Sequence, residues 1–347
     1  MFRSITAFRC VLAVLIGTAP AAHAQEFEKN ILTGGPTGTY IQIGQDISEL
    51  MAACGQTLTV RESAGSLENF LGVRNRPATQ FGIVQSDVLE YFQTYSANDP
   101  AIARAIQGVR IAFPLYNEEV HLLARRDIAT TADLDGMRVA VGVADSGTFL
   151  TASLLMDLLG VTPAETLTIG PDASLEQLLA GEIDAFFYVA GAPTAIFETE
   201  AISAEDFHLV EITDEVLASV YLPTEIPAGT YPFQDEEVEV VAVKAVLMTY
   251  DYNPARNRYH ADSCKAVSDV SNLILTQFDT LRANGHPKWQ RVDLNEIPPG
   301  WDIGTCVNVG LAPNYPLACS RPMETEMGPE NPANSIYRAR ICETIGC

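Results

Sequence analysis

Asn30-Ile31-Leu32-Thr33-Gly34-Gly35-Pro36-Thr37-Gly38-Thr39-Tyr40 carries the strongest structural signal in this chain. Its first four residues form a short apolar strand, Gly34 to Tyr40 a glycine-rich turn, and Ile41 to Ala53 continue with helical spacing. Strand, turn and helix in that order gather backbone N–H groups, threonine hydroxyls and a tyrosine at a helix N-terminus. The first N–H groups of a helix have no partner inside it, and the helix dipole adds positive potential there. Such a turn therefore attracts carboxylate or phosphate.

The residues before this run read as an export signal. Arg3 and Arg9 give a positive start, Val11 to Ile16 a short apolar core, and Ala22-His23-Ala24 an A-x-A site cleaved after Ala24. The apolar core is far shorter than the ~20 residues of a spanning helix. Cys10 precedes that core, so the sequence does not indicate a lipid anchor. A periplasmic location is expected. The roughly 320 residues left exceed what one core usually serves, at roughly 100–200 residues per domain, so two lobes are expected.

The chain carries 21 Lys and Arg against 44 Asp and Glu, a net charge of −23. That balance argues against nucleic acid and anionic lipid as partners. Past the signal, Cys54, Cys264, Cys306, Cys319, Cys342 and Cys347 remain. An even number in an exported chain points to disulfides, with the pairing left open. No CxxC occurs, and His121, His208, His260 and His286 are scattered, so no metal or other cofactor is expected.

Strand and helix signals alternate along the chain. Strands are expected at Thr57 to Glu62, Phe81 to Val84, Val109 to Pro114, Val120 to Arg125, Met137 to Val143, Leu167 to Ile169 and Asp184 to Val189. Helices are expected from Ser66, over Asp87 to Tyr95, over Thr148 to Leu159, and from a capping box at Ser174-Leu175-Glu176-Gln177. Val238 to Thr249 is a long β-branched run, and Ala261 to Asn284 a long amphipathic helix. This pattern predicts an α/β fold with mainly parallel sheets. Beyond Pro287 a scatter of prolines predicts an irregular, disulfide-tied, Cys-rich extension.

Four loops share one design, small residues between a strand end and a helix start. They are Gly34 to Tyr40, Ser63 to Ser66, Asp145 to Thr148 and Ala190 to Thr194. In open α/β sheets ligands bind beyond the carboxyl ends of the strands, where such loops gather. Singly, each is a helix cap; together they could line one pocket. Gln85 is a candidate contact, Asp87 a candidate cap, and Asn69 could serve either purpose. Tyr40, Tyr188 and Tyr231 are candidate pocket walls, with Tyr40 singled out by the glycine turn beside it. Glu118-Glu119 and Asp235-Glu236-Glu237 read as solvated acids. G-x-S-x-G, G-x-x-x-x-G-K-[ST], H-E-x-x-H and G-x-G-x-x-G are all missing, so no catalytic residue is expected.

Several motifs in order resemble the TAXI-type solute-binding proteins of TRAP (tripartite ATP-independent periplasmic) transport. They are Thr33 to Tyr40, Glu62-Ser63-Ala64-Gly65-Ser66-Leu67-Glu68-Asn69, Phe81-Gly82-Ile83-Val84-Gln85-Ser86-Asp87-Val88 and His121-Leu122-Leu123-Ala124-Arg125. The Asp145 to Thr148 loop, Gly181-Glu182-Ile183-Asp184-Ala185-Phe186-Phe187, Gly191-Ala192-Pro193-Thr194 and Tyr231-Pro232-Phe233-Gln234-Asp235 follow. The resemblance implies a two-lobed, hinged type II periplasmic-binding fold. Lobe 1 would comprise 25–114 and 245–300, lobe 2 115–244, and the extension 301–347. Hinge strands are implied near Phe113 to Glu119 and Val238 to Met248.

The same resemblance places ligand contacts at Gly35, Thr37, Gly38, Thr39, Tyr40, Ser63, Ser66, Asn69, Gln85, Ser146, Gly147, Thr148, Gly191 and Thr194. The implied guest is a small carboxylated solute, glutamate-like or dicarboxylate, bound by a monomer and delivered to membrane permease subunits. Presentation to a signalling receptor is the alternative. The chain departs from the family in its Cys-rich tail and in Pro36, which stiffens the turn and removes a donor.

Overall fold

Ile31 and Leu32 are wholly buried, and they seed a sheet that runs through the whole molecule. The structure, a computed structural model, describes residues 27–317 and Cys319, apart from Thr37 and Ala97. The expected signal and its cleavage after Ala24, the Thr37 contact, and Cys342 and Cys347 lie outside the described residues.

The elements in chain order are β1 (Asn30–Leu32), α1 (Thr39–Ala53), β2 (Thr59–Arg61), α2 (Ser66–Asn75), β3 (Thr79–Gln85), α3 (Val88–Ser96), α4 (Pro100–Gly108) and β4 (Val109–Arg125). Then come β5 (Arg138–Ala140), α5 (Gly147–Leu159), β6 (Glu165–Leu167), α6 (Pro171–Leu179), β7 (Ala185–Ala190), β8 (Phe207–Leu209) and β9 (Leu222–Ile226). The chain closes with β10 (Val238–Tyr250), α7 (Arg258–Thr276), α8 (Phe278–Asn284) and α9 (Thr305–Leu311).

The sheet runs β2-β1-β3-β10-β4-β7-β5-β6, with β8 on β4 and β9 on β10. β1 pairs in parallel with β2 and β3, and β5 with β6 and β7, while β4 and β10 pair antiparallel with each other. Two parallel units thus share two long antiparallel strands. β4 pairs with β10 from Val109 to Glu119 and with β7 from Glu119 to Ala124. β10 pairs with β9 up to Ala242 and with β3 from Ala245. The change of partner marks the crossing between two lobes.

Each lobe has helices on both faces of its sheet. In the first, α1 buries Ile43, Ile47 and Met51 against α7, which contributes Val267, Val270 and Ile274. Burying each such side chain is worth about 2 kcal/mol. On the other face α2, α3 and α4 supply Phe70, Phe92 and Ala105. In the second lobe α5 packs on β7, and Phe186, Phe197, Tyr231 and Phe233 fill the opposite face. Leu150 and Leu154 of α5 join the first lobe's cluster, so the lobes share apolar contact.

The structure changes several sequence expectations. Val109–Arg125 is one strand of 17 residues rather than two, because Pro114 falls where the β4–β10 register shifts. Ser174 opens no helix: α6 begins at Pro171 behind Gly170, and Ser174 Oγ donates back to the Gly170 carbonyl. The long helix divides at Gln277.

The tail is also more regular than its prolines imply. α9 lies on α7, where Ser268 Oγ donates to the Cys306 carbonyl (2.6 Å) and Asn272 Nδ2 to the Gly310 carbonyl (2.8 Å). Gly310 allows that approach, since a Cβ there would come 2.1 Å from the Ser268 oxygen. Disulfides join Cys264 to Cys306 and Cys54 to Cys319. Such bonds point to an oxidising compartment.

Candidate solute-binding site

The glycine turn at the end of β1 brings α1 towards the strand crossing. Gly38 is the N-cap of α1, no side chain caps that end, and its first turn holds no acid. Gly35 and Pro36 are exposed, while Gly38, Thr39 and Tyr40 are half-buried. Tyr40 donates its hydroxyl to Glu118 Oε2 on β4 (2.7 Å).

α2 starts beside it, again behind a glycine without a side-chain cap. Its amides are met from the other lobe, since Leu67 N and Glu68 N donate to the Asp145 carbonyl at 3.1 and 3.4 Å. Asp145 holds a left-handed backbone (φ 66°), a conformation that asparagine and aspartate tolerate best among side chains with a Cβ. A Cβ on Gly65 would lie 3.3 Å from Ser146 Cα and Gly147 N. The two lobes therefore touch along main chain.

The expected contacts divide by what they touch. Ser66 Oγ accepts from Gln85 N (3.0 Å), and Gly147 sits against both residues. Tyr40, Ser66, Gln85 and Gly147 thus come together at the crossing. Ser63 and Asn69 hold the loop instead: Asn69 Nδ2 donates to the Thr33 and Ile83 carbonyls and its Oδ1 accepts from Ser63 Oγ. Ser146 caps α5 by accepting from Phe149 N, and Thr148 Oγ1 accepts from Val189 N. Gly191 faces Lys288 Nζ, where a Cβ would come within 2.4 Å. Thr194 N donates to the Tyr231 hydroxyl (3.3 Å), and Tyr188 lies half-buried beside this loop. Tyr231 itself is a core residue, stacked on Phe233 and bonded to His121.

Three features escape the sequence reading. Glu118 and Glu119 are not solvated acids: they are 4% and 8% exposed, on the crossing segment of β4. Glu118 is held by Tyr40, by Tyr116 (3.5 Å) and by Gln85, and burial pushes its carboxyl up to about 8. Glu119 Oε2 accepts from Ala192 N (2.6 Å), whose carbonyl takes Lys288 Nζ (2.6 Å). Lys288 is itself set in place by Asp46 of α1, which accepts from His286 N and Trp289 Nε1. No sequence pattern marks that lysine. The doublet Glu118-Glu119 is visible in the sequence, but only an unbroken strand covered on both faces buries two consecutive side chains.

Asp87 is the third. It reaches across to the second lobe rather than serving only its own helix. Its Oδ2 accepts from Thr151 Oγ1 of α5 (2.9 Å) and from the Tyr221 hydroxyl (3.2 Å). Burial raises this carboxyl from 3.8 to about 7, with the two hydrogen bonds pulling the other way. A raised folded-state value means that the folded form keeps its proton longer. The associated stability is complete below the unfolded value and is lost as pH rises through about 7. Asp87→Asn should therefore flatten the fall of Tm between about pH 4 and 7. Parallel melting curves of equal slope for both proteins would refute this role.

A family model described as NMT1-like matches residues 31–260. The chain belongs to the NMT1-like family. The NMT1-like region runs from β1 to the opening of α7 and so spans both lobes, whereas Lys288 and α9 lie beyond it. Among solved structures, the periplasmic binding protein BugD is 12% identical, with 76% of this chain and 84% of that one covered at a TM-score of 0.43. MatC from Rhodopseudomonas palustris with bound malate is 18% identical, covering 73% and 88% at 0.41. The periplasmic VFT2 domain of BvgS from Bordetella pertussis is 12% identical, covering 76% and 93% at 0.41. All three are too distant in sequence and structure to carry function across.

Proposed function

We propose that this NMT1-like chain is a periplasmic solute receptor of the TAXI type, which binds a small carboxylated solute between its lobes and delivers it to a TRAP-type membrane permease. The lobes would be 25–114 with 245–300, and 115–244, pivoting where β4 and β10 change partners. One observation supports the reading: the N-terminus of α1 is free of any side-chain cap, and Tyr40 in its first turn reaches Glu118 at the strand crossing. Helix N-terminal amides and dipole together favour a carboxylate there. Thr39 and Tyr40 border that end, Ser66 and Gln85 select polar groups, and the Ser146–Thr148 loop is the opposing jaw. Binding requires no bond chemistry. Closure excludes water, which strengthens each polar contact.

Thermal-shift screening of amino acids, dicarboxylates and keto acids tests this. A true guest at 100 times its Kd adds about 2.7 kcal/mol. If no carboxylate raises Tm, the receptor reading fails.

A further inference from the structure

We infer that the first lobe carries a second binding site, formed by Arg74, Arg256 and His260, for a doubly charged tetrahedral oxyanion: phosphate or a small phosphate monoester. This site lies away from the strand crossing and does not depend on the receptor reading above.

A cavity of about 160 Å³ opens where β10 runs out. Arg74 of α2, Tyr250 at the end of β10, Tyr252 and Arg256 of the segment that follows, and Tyr259 and His260 in the first turn of α7 line it. This is the amino end of the first lobe's parallel strands, since the Tyr252 hydroxyl donates to the Thr79 carbonyl at the start of β3. The glycine turn follows the carboxyl end of β1. The length of β10 from Ala242 to Tyr250, roughly 25 Å, separates the cavity from the strand crossing.

The chain holds 44 Asp and Glu against 21 Lys and Arg, yet no lining side chain is acidic. Arg74 and Arg256 form no ion pair among the described residues, whereas Arg76, Arg110 and Arg258 each hold a carboxylate. The Arg74 guanidinium lies 5.9 Å over the Tyr250 ring, which orients it and leaves its N–H groups to donate in the ring's vicinity.

His260 is a separate pointer to a ligand. It is 9% exposed, and its Nδ1 accepts from Asn253 N (3.1 Å), so the neutral ring carries its proton on Nε2. Nε2 has no hydrogen-bond partner among the described residues. Burial first, and the Arg256 charge second, hold this imidazole below its usual range, which keeps it a neutral donor. The end of α7 is not what binds, because Asn257 already caps it by accepting from His260 N.

Two guanidinium forks and one imidazole N–H present donors only, and guanidinium matches two oxygens of a phosphate at once. A dianion offsets both arginine charges, where a monocarboxylate offsets one. A cavity of this size takes a benzene-sized guest, so a phosphate on a short organic stem fits.

Titration calorimetry on the full mature chain, at about 0.15 M ionic strength to screen loose ion binding, tests the site with inorganic phosphate, glycerol 3-phosphate and acetate. We expect the better of the two phosphates to bind at least about 10-fold tighter than acetate. Arg74→Gln and Arg256→Gln should each weaken it about 10-fold or more, the loss of charge-assisted hydrogen bonds. Arg126→Gln, which removes the same charge from the second lobe, should leave it within about 2-fold. In imidazole nitrogen spectra, phosphate should move the His260 signals and leave those of His208, in the second lobe, in place. Failure of both phosphates to bind, acetate binding as tightly, an equal loss in Arg126→Gln, or unmoved His260 signals would each overturn the site, and none of these bears on solute binding at the crossing.

Discussion

Replacing Gly147 with leucine should weaken solute binding by about 100-fold or more, while the fold itself survives. A Cβ at 147 would lie 2.3 Å from Gln85 Oε1 and 2.8 Å from Ser66 Oγ, both in the opposite lobe. Alanine could be relieved by a shift of the Gln85 side chain. The branched leucine could not, because Gln85 is buried and its Oε1 is within 3.2 Å of Thr151 Oγ1. Gly147 does not hold a left-handed backbone, so a side chain costs little until the lobes meet. The penalty then falls on the closed form alone. Overpacking costs about 1–3 kcal/mol, and more where several atoms clash, which shifts the population towards open molecules. Calorimetry would read the affinity, and small-angle scattering the compaction on adding solute. Wild-type affinity together with wild-type compaction in Gly147→Leu would rule out closure at this point.

The largest effect on stability is expected from the Cys54–Cys319 bond. It closes 265 residues, so its removal by paired Cys→Ala substitution should cost about 5 kcal/mol on the chain-entropy account. For a chain of this size that corresponds to a fall in Tm of about 10 °C or more. The Cys264–Cys306 bond closes 42 residues and should cost about 4 kcal/mol. The two loops are nested, so the double variant should lose less than the sum. A shift under about 2 °C for Cys54→Ala/Cys319→Ala would contradict this account.

How far the fold could be read in advance depended on whether its signals were local. β1, the glycine turn and α1 were legible because alternation, glycines and helical spacing lie within one short run. β4 was misread as two strands because Pro114 and Asn117-Glu118-Glu119 interrupt its apolar pattern. That interruption is the crossing itself, where the strand leaves one core for another and buries Glu118 and Glu119. α9 was hidden among prolines because its stability comes from α7 and a disulfide rather than from propensity. Lys288 was illegible for the same reason. Its place is fixed by Asp46, more than two hundred residues earlier in the chain. Of the candidate contacts, Tyr40, Ser66, Gln85 and Gly147 converge at the crossing, whereas Ser63, Asn69 and Thr148 brace the loops around it.

The meeting of α2 with the Asp145 carbonyl has an evolutionary implication. That clasp is built from peptide groups, so it does not depend on which side chains stand at Leu67 and Glu68. On the receptor reading proposed above, side chains around the strand crossing can therefore change, and with them the solute preferred, without disturbing this main-chain contact.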